Sequence, residues 1–149
     1  MEKCLILVKP DGLQRGLVGE IISRFEHKGL KIVGLKMTNV EDALLEQHYA
    51  HLVDKPFFAE IKQFMKSAPL VAVALSGPEG SVAAIRTLVG PTKGQEAPAG
   101  TIRGDFGLSG SINIVHASDS PENGGLEVGR FFHRDELFSY DRTLDQHCY

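Results

Sequence analysis

A chain of 149 residues, 42% hydrophobic and 23% charged, has the size and balance of one globular domain and can bury roughly 70% of its unfolded surface without a disulfide or metal. The formal net charge of -3 excludes a broad nucleic-acid or anionic-membrane surface but leaves room for a local basic pocket. No apolar run approaches the roughly 20 residues of a membrane helix, and Cys4–Val8 is too short for a signal-peptide core. Residues 1–149 are therefore expected to form a single cytoplasmic domain. Cys4 and Cys148 stand in no metal-ligand or CxxC spacing and read as free thiols, one buried in the first strand and one loose near the terminus.

In chain order, Cys4–Val8 is a short apolar run closed by "KPDG" and predicts a buried strand ending in a turn. Val18, Ile21, Ile22 and Phe25 recur at helical spacing, with Gly29 placed to stop the helix. Leu30–Thr38 predicts a second strand. Leu44, Leu45, His48 and Leu52 predict a helix, and Phe58, Ile61, Phe64 and Met65 another that starts after Pro56. "PLVAVALS" is a third buried strand, followed by a helix carrying Val82, Ile85, Leu88 and Val89. Gly90–Gly110 is the least regular stretch, too long to be an idle connection. Ile112–His116 predicts the fourth strand, and Ser120-Pro121 caps a last helix that Gly124 and Gly125 should weaken. Strands interleaved with helices imply an α/β or α+β layered architecture.

The chemistry gathers around His116, at the end of that fourth apolar run. A lone histidine there is most simply structural. Its neighbours argue otherwise: Asn113 and Ser118 are compact hydrogen-bonding groups, and Glu127 lies across a turn where a carboxylate can return to the ring. There is no GxSxG elbow and no nearby cysteine, so acyl transfer lacks a nucleophile. Histidine itself carries phosphoryl groups well. Phosphoryl transfer demands positioning and charge neutralisation, and basic residues appear where they are needed. Lys9 follows a buried strand, Arg86 lies on the helix before the long loop, and Arg103 lies within that loop. Each taken singly also reads as a solvated surface charge. Neither GxxxxGK[ST] nor GxGxxG occurs, and no carboxylate cluster is present to cage a divalent ion. Any Mg²⁺ must arrive with phosphates, mostly hydrated. Phe57 and Tyr49 flank a polar loop, where Phe57 is either core filler or a stacking platform. His27, His51, His133 and His147 have no supporting constellation.

These motifs together resemble the nucleoside diphosphate kinases. "NIVHASDS" is similar to that family's active-site motif, and "VKPDG", "QRGLVGEIISRFE", "HYAHLVDKPFF" and "GTIRGDF" match further blocks in the family's order, from about Leu5 to Phe132. The resemblance implies a ferredoxin-like sandwich with a four-stranded antiparallel sheet. It also implies ping-pong transfer of a γ-phosphate from a nucleoside triphosphate, mainly ATP, to a nucleoside diphosphate. By the same resemblance His116 would be the phosphohistidine carrier, Glu127 would orient its ring and Ser118 would support that carboxylate. Lys9, Tyr49, Arg86, Thr92, Arg103 and Asn113 would contact phosphates, ribose or the histidine, and Phe57 would stack on the base. Asp119 would touch Mg²⁺ only through water, with no direct protein ligand to the metal. Implied partners are ATP, GTP, ADP, GDP and their deoxy forms, within a homohexamer or homotetramer. On this view Arg103 acts from a loop, and its removal should spare the fold.

Two departures from the family pattern stand out. The family often has a proline where this chain reads Gly94, a change expected to cost of order ~1 kcal/mol if the local geometry suits proline. The family's tryptophan after the glutamate is missing from "EVGRFF". Rival readings are a non-nucleotide phosphocarrier, which needs no base platform, and a binding module that has lost activity.

Overall fold

Four strands build one antiparallel sheet in a computed structural model that describes residues 1–149. In chain order the main elements are β1 (Glu2–Val8), α1 (Pro10–Gln14), α2 (Val18–His27), β2 (Lys31–Thr38), α3 (Asp42–His48) and α4 (Phe58–Met65). They continue as β3 (Leu70–Gly77), α5 (Ser81–Val89), α6 (Ile102–Phe106), β4 (Val115–Ala117) and α7 (Pro121–Phe131). The strand order is β2-β3-β1-β4, with every neighbouring pair antiparallel. This is the architecture the resemblance implies.

The unbroken apolar runs of β1 and β3 follow from burial on both faces, since alternate side chains of a strand point to opposite sides. Cys4, Ile6, Val8, Val71, Val73 and Leu75 pack with Ile21 and Phe25 of α2 and Val82, Ile85 and Val89 of α5. Leu5, Leu7, Leu70, Ala72 and Ala74 pack on the other face with Leu45, Met65, Val128 and Phe131. Each fully buried Val, Leu, Ile, Phe or Met side chain among them contributes about 1.5–3 kcal/mol. No helix is long and apolar enough to cross a membrane.

Several expected boundaries shift, each for a local reason. "KPDG" opens α1 rather than a turn, because Pro10 has the φ a first helical position requires. The helix expected over Leu44–Leu52 ends at His48, and a 3₁₀ turn (Ala50–Leu52) follows. The long loop holds α6, capped by the Thr101 hydroxyl accepting from Gly104 N at 2.9 Å. The fourth strand begins only at Val115, not Ile112. Ile114 has φ +74°, a conformation that strains a β-branched residue. The kink is pinned at both polar groups: Ile114 N donates to Asp11 Oδ2 (3.0 Å), and Ile114 O accepts from Lys9 N (2.8 Å).

Gly94 departs from proline for a reason the sequence did not reveal. Its N–H donates to Ser109 O at 3.2 Å, and a Cβ there would lie 2.4 Å from Gly107 C. Proline would lose the bond and collide with the backbone, so the expected entropic gain of proline does not apply. The Gly124-Gly125 pair does not break α7 either, which runs unbroken for 11 residues from its Ser120 cap. A Cβ on Gly124 would stand 1.9 Å from Lys3 O, whereas Gly125 has nothing within 4 Å. Gly124 thus lets the helix lie against β1. Gly124→Ala should destabilise the fold by roughly 1–3 kcal/mol, while Gly125→Ala should stabilise it by about 0.5–1 kcal/mol. Urea unfolding midpoints of the two variants check this opposition of sign.

Candidate active site

His116 faces the same side of the sheet as Leu7, its partner across the β1–β4 pair, because directly paired residues share a face. That face is the one covered by α3 and α7, and so the ring meets a side chain from each. From α7, Glu127 Oε2 lies 3.0 Å from His116 Nε2. The same oxygen accepts from Ser118 Oγ at 2.5 Å, and Ser118 Oγ accepts from Leu5 N at 2.9 Å. The carboxylate can only accept, so Nε2 carries the ring proton and the lone pair belongs to Nδ1. Nδ1 makes no hydrogen bond to the protein.

Burial lowers the His116 pKa from its ordinary value, only partly offset by the hydrogen bond and charge of Glu127, while Lys9 and Arg103 lower it further. The ring is thus neutral at pH 7. Burial alone would raise the Glu127 carboxyl, but hydrogen bonds from His116 and Ser118 outweigh it and hold the group ionised.

From α3 comes His48, absent from the candidate residues read in the sequence. It counted there only as one position of an apolar stripe. Its ring packs edge-on against His116, with centroids 4.6 Å apart and planes at 77°. Tyr49 and Phe131 pack against its other sides. Phe131 lies in the run where the family's tryptophan was missed, so an aromatic ring still closes this wall. The signal in the sequence was a titratable residue within an apolar periodicity. Burial, then the charge of His116, drives the His48 pKa far below the usual imidazole range.

A cleft of about 590 Å³ opens beside this cluster, lined among others by Lys9, Tyr49, Leu52, Phe57, Ile61, Thr92, Ile112 and Asn113. Phe57 is 45% exposed, so it is not core filler. Thr92 is exposed. Lys9 Nζ donates to Asn113 Oδ1 at 2.7 Å, and Asn113 Nδ2 donates to Thr92 O at 3.1 Å. Burial, then the positive charge of Arg103, pushes the Lys9 pKa down to about 8. Arg103 is itself lowered to about 10 by burial and by Arg86. Three cations thus repel one another beside one cleft, although the whole chain is acidic. Burial raises the Tyr49 hydroxyl to about 12, keeping it a donor.

His116, Arg86 and Arg103 do not line the cleft itself. Arg86 donates to Ala117 O at 3.2 Å. Arg103 differs from expectation most. It lies on α6, is 4% exposed, and donates to the carbonyls of Gly90 (3.0 Å), Asn113 (3.3 Å) and Val115 (2.6 Å). Its guanidinium therefore holds together the backbone that presents His116. The expectation that its loss would spare the fold is corrected: Asn113 O keeps its bond from Val115 N at 2.7 Å, but the carbonyls of buried Gly90 and Val115 lose this donor, at about 1–3 kcal/mol each. Asp119 is exposed and accepts from Asn123 Nδ2 at 2.7 Å.

A neutral, oriented imidazole with a free nitrogen, beside a cleft bordered by surplus positive charge, defines a histidine-dependent phosphotransferase site. Residues 2–137 match the family model described as Nucleoside diphosphate kinase. The nucleoside diphosphate kinase of Parabacteroides distasonis is 50% identical over 141 residues, covering 95% of this chain and 92% of that one. That of Natronomonas pharaonis is 49% identical over 149 residues, covering 99% and 97%. A family member from Babesia bovis superposes with a TM-score of 0.96 at 43% identity, over 100% of both chains. The Halobacterium salinarum enzyme in complex with CDP gives 0.95 at 41%, covering 99% of this chain and 98% of that one. The chain belongs to the nucleoside diphosphate kinase family and is a phosphotransferase of that type.

Arg103→Ala should lower stability by roughly 3 kcal/mol as well as impair turnover. Urea denaturation checks it, and an unchanged midpoint would mean that the three carbonyl contacts contribute nothing.

Proposed function

We propose that residues 1–149 act as one catalytic unit in which His116 Nδ1 carries the phosphoryl group between nucleotides. The observation that carries this reading is the 3.0 Å contact between Glu127 Oε2 and His116 Nε2, which leaves Nδ1 as the free nitrogen. In the first half-reaction the Nδ1 lone pair attacks the γ-phosphorus. The bond from that phosphorus to the β–γ bridging oxygen breaks, and the nucleoside diphosphate leaves with the electron pair on its terminal phosphate. The Nε2 proton stays on the ring, and Glu127 balances the positive charge that the phosphorylated imidazole acquires. Ser118 holds Glu127 in place. In the second half-reaction a terminal phosphate oxygen of another nucleoside diphosphate attacks, and the N–P bond breaks.

Lys9, Arg86 and Arg103 supply positive charge to the phosphates, and Asn113 orients Lys9. Thr92 and Tyr49 offer hydroxyls to phosphate or ribose. Phe57 stacks on the base, worth about 1–3 kcal/mol. A stacking face tolerates any base, which supports ATP, GTP, ADP, GDP and the deoxy forms as partners.

No carboxylate cage for a hard cation is present. The cluster His48, His116 and Glu127 offers two nitrogens and suits Mg²⁺ poorly. The residues fit a hydrated Mg²⁺ that enters with the triphosphate, with the exposed Asp119 carboxylate reached through water. Bound there, Mg²⁺ supplies neutralisation of phosphate charge. We read the assembly as a homohexamer or homotetramer, supported by exposed Leu35 and Met37 on the edge strand β2. A cytoplasmic location is supported by the two free cysteines.

Incubation with γ-labelled ATP and Mg²⁺, without acceptor, should yield an acid-labile, base-stable label that is absent in His116→Ala and chases into GTP when GDP is added. Label persisting in His116→Ala would assign the chemistry elsewhere. The pH profile offers a second test. Because His116 is lowered, the rate should persist on the acid side of the ordinary imidazole range. Because Lys9 is lowered to about 8, it loses its proton as pH rises through that value, and kcat/KM for ATP should fall there. A profile flat into the ordinary lysine range would count against Lys9.

A further inference from the structure

His48 is the buried titratable side chain that this phosphotransfer scheme leaves without a task. Its side chain is 1% exposed, and neither ring nitrogen has a hydrogen-bond partner. A buried polar group left unpaired is costly, and removing it for an apolar group of the same shape can be neutral or stabilising. An apolar side chain such as leucine would occupy the site without that cost, and Phe131 already packs beside it, centroids 5.2 Å apart. An imidazole here therefore needs a reason other than packing.

The reason lies in what it faces. Glu127 uses Oε2 twice, for His116 and for Ser118. Its Oε1 has no hydrogen bond, and His48 Nδ1 lies 4.0 Å from it, a little beyond hydrogen-bond reach. The carboxylate thus has one fixed oxygen and one free to swing. When His116 takes the phosphoryl group its ring becomes cationic, and the alignment of Oε2 with Nε2–H matters most at that moment.

We propose that His48 is a positioning residue whose Nδ1–H closes onto Glu127 Oε1 as His116 is phosphorylated, locking the carboxylate against the cationic ring. The inference rests on the reading of His116 as the phosphate carrier. His48 acts as a neutral donor. It adds no second charge beside the phosphorylated ring, because burial, then His116, Arg130 and Lys9, oppose its protonation and outweigh the pull of Glu127. Tyr49, packed edge-on to the same ring, holds it in the plane that directs Nδ1 toward α7.

Two variants test this. His48→Phe keeps an aromatic ring and removes both nitrogens. His48→Asn places an amide donor near the position of Nδ1. Phosphohistidine formation from labelled ATP is timed by rapid quench, with ADP affinity and melting temperature measured on the same preparations. His48→Phe should stay folded and bind ADP equally well, yet form phosphohistidine about tenfold more slowly, the scale of one hydrogen bond to a charged group. His48→Asn should recover most of the rate. Full speed in His48→Phe would remove His48 from the mechanism. An Asn variant that binds ADP normally but is no faster than Phe would also overturn the proposal, because a donor at that position would then bring nothing to the reaction. Absence of label in the unmodified protein would sink the carrier reading and this proposal with it. Label there, with a fast His48→Phe, would sink this one alone.

Discussion

The hydrogen bond from His116 Nε2 to Glu127 Oε2 depends on more of the chain than any other contact in the site. It needs α7 to lie close against β1, which requires the missing side chain of Gly124 beside Lys3 O. It needs Ser118, whose hydroxyl joins Leu5 N of β1 to Glu127 of α7. It needs the odd-numbered face of β1, since His116 sits opposite Leu7. In return the bond fixes the tautomer, and a fixed tautomer decides which nitrogen can act as a nucleophile. Sheet register and reaction chemistry therefore meet in a single proton position.

Charge is arranged in the opposite spirit. Stable folds pair buried charges, yet Arg103, after burial, disfavours the protonation of Lys9, and Arg86, after burial, that of Arg103. Their neutral partners are an amide oxygen and backbone carbonyls. A cluster of this kind suits a polyanionic ligand. An acidic protein can present such a cluster because the surplus is local, while the net charge keeps the remaining surface unattractive to other polyanions.

The sheet was legible in the sequence because β1 and β3 are buried on both faces and so read as continuous apolar runs. Helices α2, α5 and α7 were legible from periodicity and caps. What was hidden depends on contacts between distant residues. Ile114 looks like ordinary strand sequence, and only Asp11 and Lys9, over 100 positions away, force it into its kinked conformation and postpone β4. Gly94 reads as a loosened loop until Gly107 is found against it. His116, Ser118 and Glu127 were legible as a polar constellation, and their geometry matches that reading. His48 was not, because a single histidine at helical spacing cannot be told from core filler until the opposite wall is seen.

Arg103 and His48 show two ways a site residue can relate to the fold. Arg103 donates to three carbonyls of the chain that presents His116, so its guanidinium is built into the fold itself. His48 leaves two nitrogens unpaired in a packed wall, an unfavourable arrangement for a buried polar group. Local strain at Ile114 belongs with His48: both are unfavourable features close to His116 in the chain or in space, held in place by the rest of the structure. The apolar sheet with its two helical layers provides the surplus stability that makes these features tolerable. The core is therefore the condition under which a strained, cation-rich site can exist at the end of β4.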